Sequence, residues 1–171
     1  MTGHTEAAVE LQAKAGDAVR SVTTFRGQTT VQIERGMIVS ACLALREGMG
    51  FDLLAALTCV DYWPEEPRFS VVYQVYSTRR GEMLGLRVSV DSRVGEVPSI
   101  VEVYPNADWH EREVFDMFGL RFAGHPDLRR LLMPHDWEGH PLRKDHPLGY
   151  EESQFTFNYD EIDRRKPRAQ R

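Results

Sequence analysis

The chain has few of the features that would let it carry out redox chemistry by itself. Its 171 residues include only two cysteines, Cys42 and Cys59, which lie far apart among apolar neighbours. An iron–sulfur cluster needs about four thiolates, so this chain is not expected to bind one alone, and the two thiols are expected to be small buried groups. Nucleotide phosphate loops and a serine between elbow glycines are also absent from the sequence.

Long apolar segments are missing as well. The longest stretches without a charged side chain, 36–45 and 69–78, are ten residues each, whereas a membrane-spanning helix needs about 20. The first 20 residues lack the basic, apolar and small-residue zones of a signal peptide. We therefore expect a chain that does not span a membrane and stays in the compartment where it is made. Its length and its 42% of hydrophobic residues fit one globular domain.

The distribution of charge argues against a nucleic-acid partner. Residues 1–120 have 11 basic and 17 acidic side chains, and residues 121–171 have 10 and 9. A nucleic-acid binder normally shows a basic face, which this acidic body does not indicate. Five positive charges lie within 164–171. Such an end is usually a solvated tail, and the alternative is contact with an acidic partner or with anionic lipid headgroups.

Apolar periodicity predicts the fold class α+β, a single domain with a mainly antiparallel sheet packed by helices, plus a long irregular C-terminal extension. Period-two alternation predicts strands at 22–25, 29–33, 69–76 and 84–90, the first two joined by a turn at Gly27-Gln28. Apolar residues at helical spacing predict helices at 37–47 and 109–118. Residues 1–18 are predicted to be a helix or a flexible end, and residues 51–62 fit either a helix or a strand.

Two capping patterns predict further helices. Ser99-Ile100-Val101-Glu102 has the spacing of a capping box, and the short helix it opens would be halted by Pro105. Asp108 is predicted to occupy the capping position of a second helix, which should end at Gly119. Glu111 falls within the apolar stripe of this second helix. Either it favours the helix dipole from the first turn, or it is drawn into a partly buried site and needs an arginine partner. The candidate partners are Arg129, Arg130 and Arg143.

Past Gly119 the character of the sequence changes, which predicts a core domain at 19–120 and a separate segment at 121–171. Five prolines interrupt this segment and no apolar period is sustained. Its first thirty residues can span about 100 Å when extended, whereas a domain of this size has a gyration radius of about 13 Å. The segment nevertheless keeps apolar residues such as Leu131, Met133 and Trp137, which a disordered linker normally lacks. We therefore predict an extended segment that docks on a partner protein.

Five histidines between 110 and 146 raise the possibility of a metal site. His110 begins a pattern similar to a zinc-protease helix, but the second ligand position, 114, is a valine. The remaining histidines, His125, His135, His140 and His146, show no spacing that places two ligands on one rigid element. Loop and polar-contact roles are therefore favoured, and a stand-alone metal-dependent hydrolase is the less favoured alternative.

Three blocks of sequence carry a family resemblance. They are Glu-Arg-Glu-Val-Phe-Asp-Met-Phe-Gly at 111–119, His-Pro-Asp-Leu-Arg-Arg at 125–130 and Gly-His-Pro-Leu-Arg-Lys-Asp-His-Pro at 139–147. In order and spacing they closely resemble the signature of the 30-kDa subunit family of respiratory complex I, which in bacterial NADH-quinone oxidoreductase is the family of the C subunit. The match covers about a fifth of the chain.

The resemblance implies a non-catalytic structural subunit of the peripheral arm of a proton-translocating enzyme. Such a chain binds no metal or cofactor and supports electron transfer from NADH, through FMN and iron–sulfur centres in other subunits, to quinone. It would contact the large quinone-site (49-kDa type) subunit and neighbouring peripheral-arm subunits. It would therefore lie peripherally on the cytoplasmic side of a bacterial cell membrane, associated with it only through the complex.

The resemblance also implies which residues matter, and it leaves one alternative open. The residues that match the signature would be interface or framework residues: Glu111, Arg112, Glu113, Asp116, His125, Arg129, Arg130, Arg143, Lys144 and Asp145. A homologous subunit of a membrane-bound hydrogenase or of a ferredoxin-linked complex would have the same signature.

Overall fold

The computed structural model describes residues 3–146, which are built around a five-stranded mixed sheet with the strand order β1-β2-β5-β4-β3. Its strands are β1 (Val19–Phe25), β2 (Gln28–Ile33), β3 (Leu53–Asp61), β4 (Phe69–Ser77) and β5 (Glu82–Val90). Neighbouring strands are antiparallel except β2 and β5, which run parallel. A two-stranded parallel sheet joins β6 (Glu96–Pro98) to β7 (Arg121–Ala123).

Three α-helices cover the sheet, so the predicted α+β class is confirmed. They are α1 (Gly3–Lys14), α2 (Ile38–Leu43) and α3 (Ala107–Phe118). Helix α3 packs on β3, and α1 packs against β2 and β5. A π-helical turn at Ala44–Gly48 continues α2, so the helix predicted at 37–47 is present. Both cysteines are buried and free, as expected of small apolar groups. Within 3–146, no helix is long and apolar enough to cross a membrane.

The strands follow the predicted alternation because one face of each inner strand is buried. On β4, Val71, Tyr73 and Val75 are fully buried, and β4 pairs with β5 in the predicted antiparallel direction. The ambiguous segment 51–62 contains a strand, since β3 pairs with β4 along almost its whole length. The first hairpin turns at Arg26 and Gly27, which both have positive φ. That turn lies one residue earlier than predicted.

The helix predicted from the capping box at Ser99 is not formed, so this prediction is wrong. The chain makes a turn in which the N–H groups of Val103 and Tyr104 both donate to the carbonyl of Ile100, at 2.9 and 2.8 Å. The Ser99 hydroxyl donates instead to Glu111 at 2.6 Å. The hydrogen bond from Ser99 to Glu111, twelve positions later, is therefore formed in place of the predicted helix cap.

Helix α3 begins at Ala107 and ends where its sequence predicts. Asp108 lies in the first helical turn rather than in the capping position, which Asn106 occupies. Gly119 ends the helix with φ of +74°, and its N–H donates to the Phe115 carbonyl at 2.8 Å. A Cβ at Gly119 would lie 2.5 Å from the side chains of Arg143 and His140. Glycine is therefore needed both for the left-handed conformation and for the close approach of these two side chains.

Residues 124–146, here called the strap, have irregular backbone but lie against their own domain. Leu128 and Met133 are partly buried against the core, and the N–H of Leu142 donates to the Met117 carbonyl at 3.1 Å. For its described part, the predicted extension therefore does not leave the domain. The predicted boundary at residue 120 also shifts, because β7 belongs to the second sheet and buries Phe122. Residues 147–171, including the basic C-terminal end, lie outside the described residues.

Candidate docking site on helix α3 and the strap

Asp116 is the residue that holds the strap on α3. Its carboxylate is fully buried. One oxygen accepts from the Arg130 guanidinium at 2.7 Å, and the other accepts from the backbone N–H groups of Leu131, Leu132 and Met133 at 3.0, 2.7 and 2.8 Å. Burial alone would raise the pKa of Asp116, but the donors, led by the Met133 N–H and Arg130, outweigh it and lower that pKa. The carboxylate is thus a charged centre around which the strap is ordered.

Arg130 extends this order to the second half of the strap. The same guanidinium that pairs with Asp116 also donates to the carbonyls of Trp137 and Gly139, at 2.9 and 3.1 Å. Its side chain is only 19% exposed. A buried ion pair is retained without a large penalty only when additional hydrogen bonds satisfy both charges, which these contacts do.

Arg112 supports the strap from the neighbouring face of α3. It is largely buried, and its guanidinium donates to the carbonyl of Arg129 at 3.3 Å and, more weakly, to that of Arg130 at 3.5 Å. The guanidinium carbon also lies 5.0 Å from the ring centroid of Trp109, within cation–π range. Since Trp109 is 58% exposed, this contact reaches the protein surface.

A second network holds the end of the strap to the sheet. Arg68 makes paired hydrogen bonds to the Asp61 carboxylate at 3.0 and 2.8 Å and to the Asp145 carboxylate at 2.9 and 2.8 Å. Asp61 also accepts from the backbone N–H groups of Lys144 and Trp63, both at 2.9 Å. Burial works against ionisation of Asp61, but the hydrogen bonds, led by Arg68, lower its pKa to about 2.

Sequence reasoning missed Arg68 and placed no role on Asp61. The signature supplies only Lys144 and Asp145 to the network, because Arg68 and Asp61 lie 77 and 84 residues before Asp145 in the chain. No local pattern marks Arg68, which lies between Pro67 and the first residue of β4. Pairing between β3 and β4 places Asp61 opposite Phe69, and this tertiary pairing makes the site.

The histidines and Arg143 of the signature bind backbone groups. The buried side chain of His125 accepts from the Asp127 N–H at 3.0 Å, so its other nitrogen carries the proton and faces the Asp108 carbonyl at 3.3 Å. His140 bonds to the Asp116 carbonyl at 2.9 Å, and Arg143 donates to the Phe118 carbonyl. The contacts of His140 and Arg143 satisfy carbonyls in the last turn of α3, and His125 contacts its first turn. The described residues contain no group of three His, Cys, Asp or Glu that could hold a metal ion.

Glu111 is buried, but the interpretation in which it pairs with an arginine is wrong. Its oxygens accept from the Ile100 N–H at 2.8 Å and from the Ser99 hydroxyl at 2.6 Å. No arginine in 3–146 bonds to it. The three candidate arginines bind other groups: Arg129 pairs with Asp127, Arg130 with Asp116, and Arg143 donates to the Phe118 carbonyl. Burial is the largest influence and raises the pKa of Glu111 to about 7. Glu111 therefore ties α3 to the turn after β6, not to the strap.

The remaining signature side chains are exposed. Glu113, Arg129 and Lys144 all lie on the surface, although Arg129 forms an exposed pair with Asp127 at 2.9 Å. These side chains contribute little to the fold. The interface role implied for them stays a prediction.

Exposed apolar side chains surround the same region. They are Trp109 on α3, Leu132 and Leu142 on the strap, and Tyr62 and Trp63 beside Asp61, and together we call them the strap surface. Leu132 and Leu142 are 62% and 54% exposed although their backbone N–H groups are bonded to Asp116 and to the Met117 carbonyl. The strap thus presents apolar groups from a backbone that is firmly held.

Comparisons with known proteins agree with this architecture. The family model described as the respiratory-chain NADH dehydrogenase 30-kDa subunit matches residues 31–152. The chain is 48% identical over 161 residues to the C subunit of the NADH-quinone oxidoreductase of Roseiflexus castenholzii, covering 93% of this chain and 92% of that one. A trypsin-resistant fragment (1-134) of Nqo5 superposes with a TM-score of 0.62 at 30% identity, covering 72% of this chain and 98% of that one.

A second solved structure extends the likeness to another respiratory assembly. A chain of the membrane-bound sulfane sulfur reductase, an archaeal respiratory membrane complex, superposes with a TM-score of 0.70 at 25% identity, covering 85% of each chain. The fold and its relatives therefore define a subunit of a multi-subunit respiratory oxidoreductase. The chain belongs to the family of 30-kDa subunits of respiratory-chain NADH dehydrogenase and is a subunit of an NADH-quinone oxidoreductase. The resemblance carried by the three signature blocks is confirmed.

Proposed function

We propose that this chain is a framework subunit that docks through the strap surface onto the large quinone-site (49-kDa type) subunit of the peripheral arm. In this proposal the chain binds no cofactor. FMN and iron–sulfur clusters in other subunits carry electrons from NADH to quinone, and the chain holds its neighbours in place. It lies on the cytoplasmic side of a bacterial cell membrane and reaches that membrane only through the complex.

The observation that carries the proposal is the combination of a firmly held backbone with exposed apolar side chains. Four donors fix the strap to Asp116, and the Arg68 network fixes its end. Ordering a flexible segment on binding costs affinity, and a segment that is already ordered avoids that cost. Exposed leucine side chains on such a segment, with Trp109 exposed on the helix that holds it, are typical of a surface that another protein covers.

The test is a double substitution on the strap surface in the full-length chain. Leu132→Glu and Leu142→Glu place charges at the proposed contact while leaving the N–H groups that hold the backbone. Tagged chains are expressed in a strain that lacks the native subunit, and membrane extracts are resolved on blue-native gels. Proteins that co-purify with the tag are identified by mass spectrometry. We expect the double variant to fold, as judged by circular dichroism, and to lose the large quinone-site subunit.

The matched control is Phe25→Glu, at the end of the edge strand β1 on the opposite side of the sheet from β3. Phe25 is 68% exposed, so the new charge is equally well solvated. The control should assemble normally. Normal assembly of the double strap variant, or equal loss of assembly in the control, would contradict docking through this surface.

The structural likeness to the sulfane sulfur reductase shows that this fold also occurs in a second type of assembly. A homologous subunit of a hydrogenase or ferredoxin-linked complex would be held by the same strap. The co-purifying subunits distinguish the two, because a flavin-containing NADH-oxidising module accompanies only the first. Oxidation of NADH by the purified assembly supports the NADH-quinone assignment, and reaction with reduced ferredoxin alone supports the alternative.

A further inference from the structure

Trp109 is an exposed aromatic side chain that is held in place by a buried arginine. It lies in the first turn of α3 and is 58% exposed. The guanidinium carbon of Arg112, three residues later, lies 5.0 Å from the centre of the indole ring, and residues three apart are neighbours on a helix surface. Arg112 itself is 7% exposed. The cation therefore covers one face of the indole, and the rest of the ring is accessible to another molecule.

The same guanidinium is fixed in turn by the strap. It donates to the carbonyls of Arg129 and Arg130. The backbone N–H groups of the next three residues, 131–133, donate to Asp116. Two side chains of α3 thus hold adjacent parts of one strap segment, and one of the two also stacks on the indole. The orientation of the indole is therefore linked to the order of the strap.

Within the described residues, no other aromatic side chain of the strap surface is held in this way. Tyr62 and Trp63 are 37% and 47% exposed, and no guanidinium lies over either ring. A stacked cation restricts the rotamers of the indole, so less entropy is lost when a partner covers it. Tryptophan is also one of the residues that most often dominate the binding energy of a protein interface.

We propose that Trp109 is the dominant contact through which the strap surface binds the large quinone-site subunit, and that Arg112 is a positioning residue that orients its indole. The partner supplies an apolar pocket that covers the accessible face and edge of the ring. This inference rests on the docking function proposed above, and it adds which residue contributes most to that docking.

A membrane surface is the competing occupant for an exposed tryptophan, because indole rings collect at the interface between lipid and water. The charges beside the ring favour a protein instead. Asp108 precedes Trp109, and the exposed Glu113 lies four residues after it, on the neighbouring turn of the same helix. Anionic lipid headgroups attract basic segments and repel carboxylates.

The experiment is a competition between two full-length chains with different affinity tags. The unchanged chain and a variant are co-expressed in the strain that lacks the native subunit, and the fraction containing the large quinone-site subunit is isolated. The variant-to-parent ratio in that fraction, relative to the ratio in the whole extract, measures relative binding. Trp109→Ala should lower it by about tenfold or more. Trp109→Phe keeps an apolar ring beside the guanidinium and should have an intermediate value.

The matched control is Phe25→Ala on β1. Phe25 is 68% exposed, and the guanidinium carbon of Arg26 lies 5.1 Å from its ring centre. The control therefore also removes an exposed ring that is stacked against an arginine, but at the opposite edge of the sheet. Its ratio should equal that of the unchanged chain. A loss in the control equal to that of Trp109→Ala would show that removing any such ring impairs assembly, and would contradict a specific role for Trp109.

Arg112→Lys tests the positioning role. Lysine keeps the charge but lacks the flat group that stacks on an indole and donates to two carbonyls at once. The variant should reduce incorporation more in the parent than in the Trp109→Ala background, because the ring that it orients is absent from the second. Equal reductions in both backgrounds would show that Arg112 acts on the strap alone. Circular dichroism checks that each variant is folded.

Normal incorporation of Trp109→Ala would overturn the dominant role of Trp109. The double variant Leu132→Glu, Leu142→Glu then separates this failure from that of the docking function. If the double variant loses the large subunit, docking through the strap surface stands without Trp109, and if it also assembles normally, both proposals fail. An intact complex that contains Trp109→Ala but detaches from membranes would assign the ring to lipid, and would equally overturn the inference.

Discussion

The two faces of α3 each bury one carboxylate, and the two behave in opposite ways. Asp116 on the strap face has four donors, one of them a cation, and its pKa is lowered. Glu111 on the sheet face has two neutral donors, and its pKa is raised to about 7. Both side chains are 0% exposed. Burial raises the pKa of both carboxylates, and the charge of each depends on whether its donors outweigh that effect.

The two faces of α3 are also held to the rest of the protein in different ways. On the strap face, a charged centre orders irregular backbone that has no apolar period of its own. On the sheet face, apolar packing supplies most of the contact, and Glu111 adds two hydrogen bonds to the turn after β6. Removal of the Asp116 charge should therefore destabilise the contact between α3 and the strap. Removal of the Glu111 charge should instead stabilise the contact between α3 and the turn after β6.

The largest expected effect follows from removing the charge of Asp116. Asp116→Asn removes the charged partner of Arg130, and its amide nitrogen must face either Arg130 or the backbone N–H groups, so the free energy of unfolding should fall by about 4 kcal/mol. Urea unfolding at pH 7 measures it. Asp127→Asn is the control, because that exposed pair with Arg129 should contribute less than about 1 kcal/mol. A loss below about 1 kcal/mol for Asp116→Asn would contradict the assigned role.

The next effect is a pH dependence carried by Glu111. Its folded pKa, about 7, lies above the ordinary value of 4.5, so its protonated form favours the folded state. The contribution of Glu111 to the free energy of unfolding is greatest below pH 4.5, falls as pH rises towards 7 and is constant above that pH. The total change is about 3 kcal/mol. In Glu111→Gln the amide oxygen accepts from the Ile100 N–H and the amide nitrogen donates to the Ser99 oxygen, so the variant carries no charge and should lack this change.

The measurement is the difference in unfolding free energy between parent and Glu111→Gln from pH 5 to 8, because other carboxylates cancel in that difference. At pH 8 the variant should be at least as stable as the parent. Asp61 and Asp116 have lowered pKa values, so their contribution is lost only as pH falls through those values. A difference that does not vary with pH would show that Glu111 stays charged in the folded protein.

A smaller effect is expected at the end of the strap. Asp145→Asn removes one of the two carboxylates on Arg68, and because the Asp145 side chain is 42% exposed, the loss should be about 1 kcal/mol or less. Faster hydrogen exchange at the Lys144 N–H, which donates to Asp61, measures the local loosening. Unchanged exchange there would show that Asp61 and Arg68 hold this end without Asp145.

The smallest effect on stability should come from the exposed signature residues. Glu113→Ala and Arg129→Ala remove side chains without buried contacts, so each should change the free energy of unfolding by less than about 0.5 kcal/mol. If these residues contact a partner, the same variants should reduce recovery of the large quinone-site subunit in co-purification. A stable chain with full recovery would show that neither residue contributes to assembly.

Local sequence determined the elements whose causes are local. Alternation on β4 and β5 placed both strands, and Gly119 placed the end of α3, because a left-handed residue is needed there. The order and spacing of the signature blocks were sufficient to assign the family. These features depend on neighbours within a few residues, or on a linear pattern that the printed sequence contains.

Contacts between distant segments decided the rest. Ser99 has a capping pattern, yet its hydroxyl bonds to Glu111, because the fold brings this buried acceptor to it. Arg68 acquires its role only when β3 pairs with β4 and the strap returns to the sheet. A charge in a sequence does not indicate which donors will surround it. The sequence by itself therefore determined the family and most of the elements, whereas the tertiary structure decided that Asp116 holds the strap and that Glu111 does not.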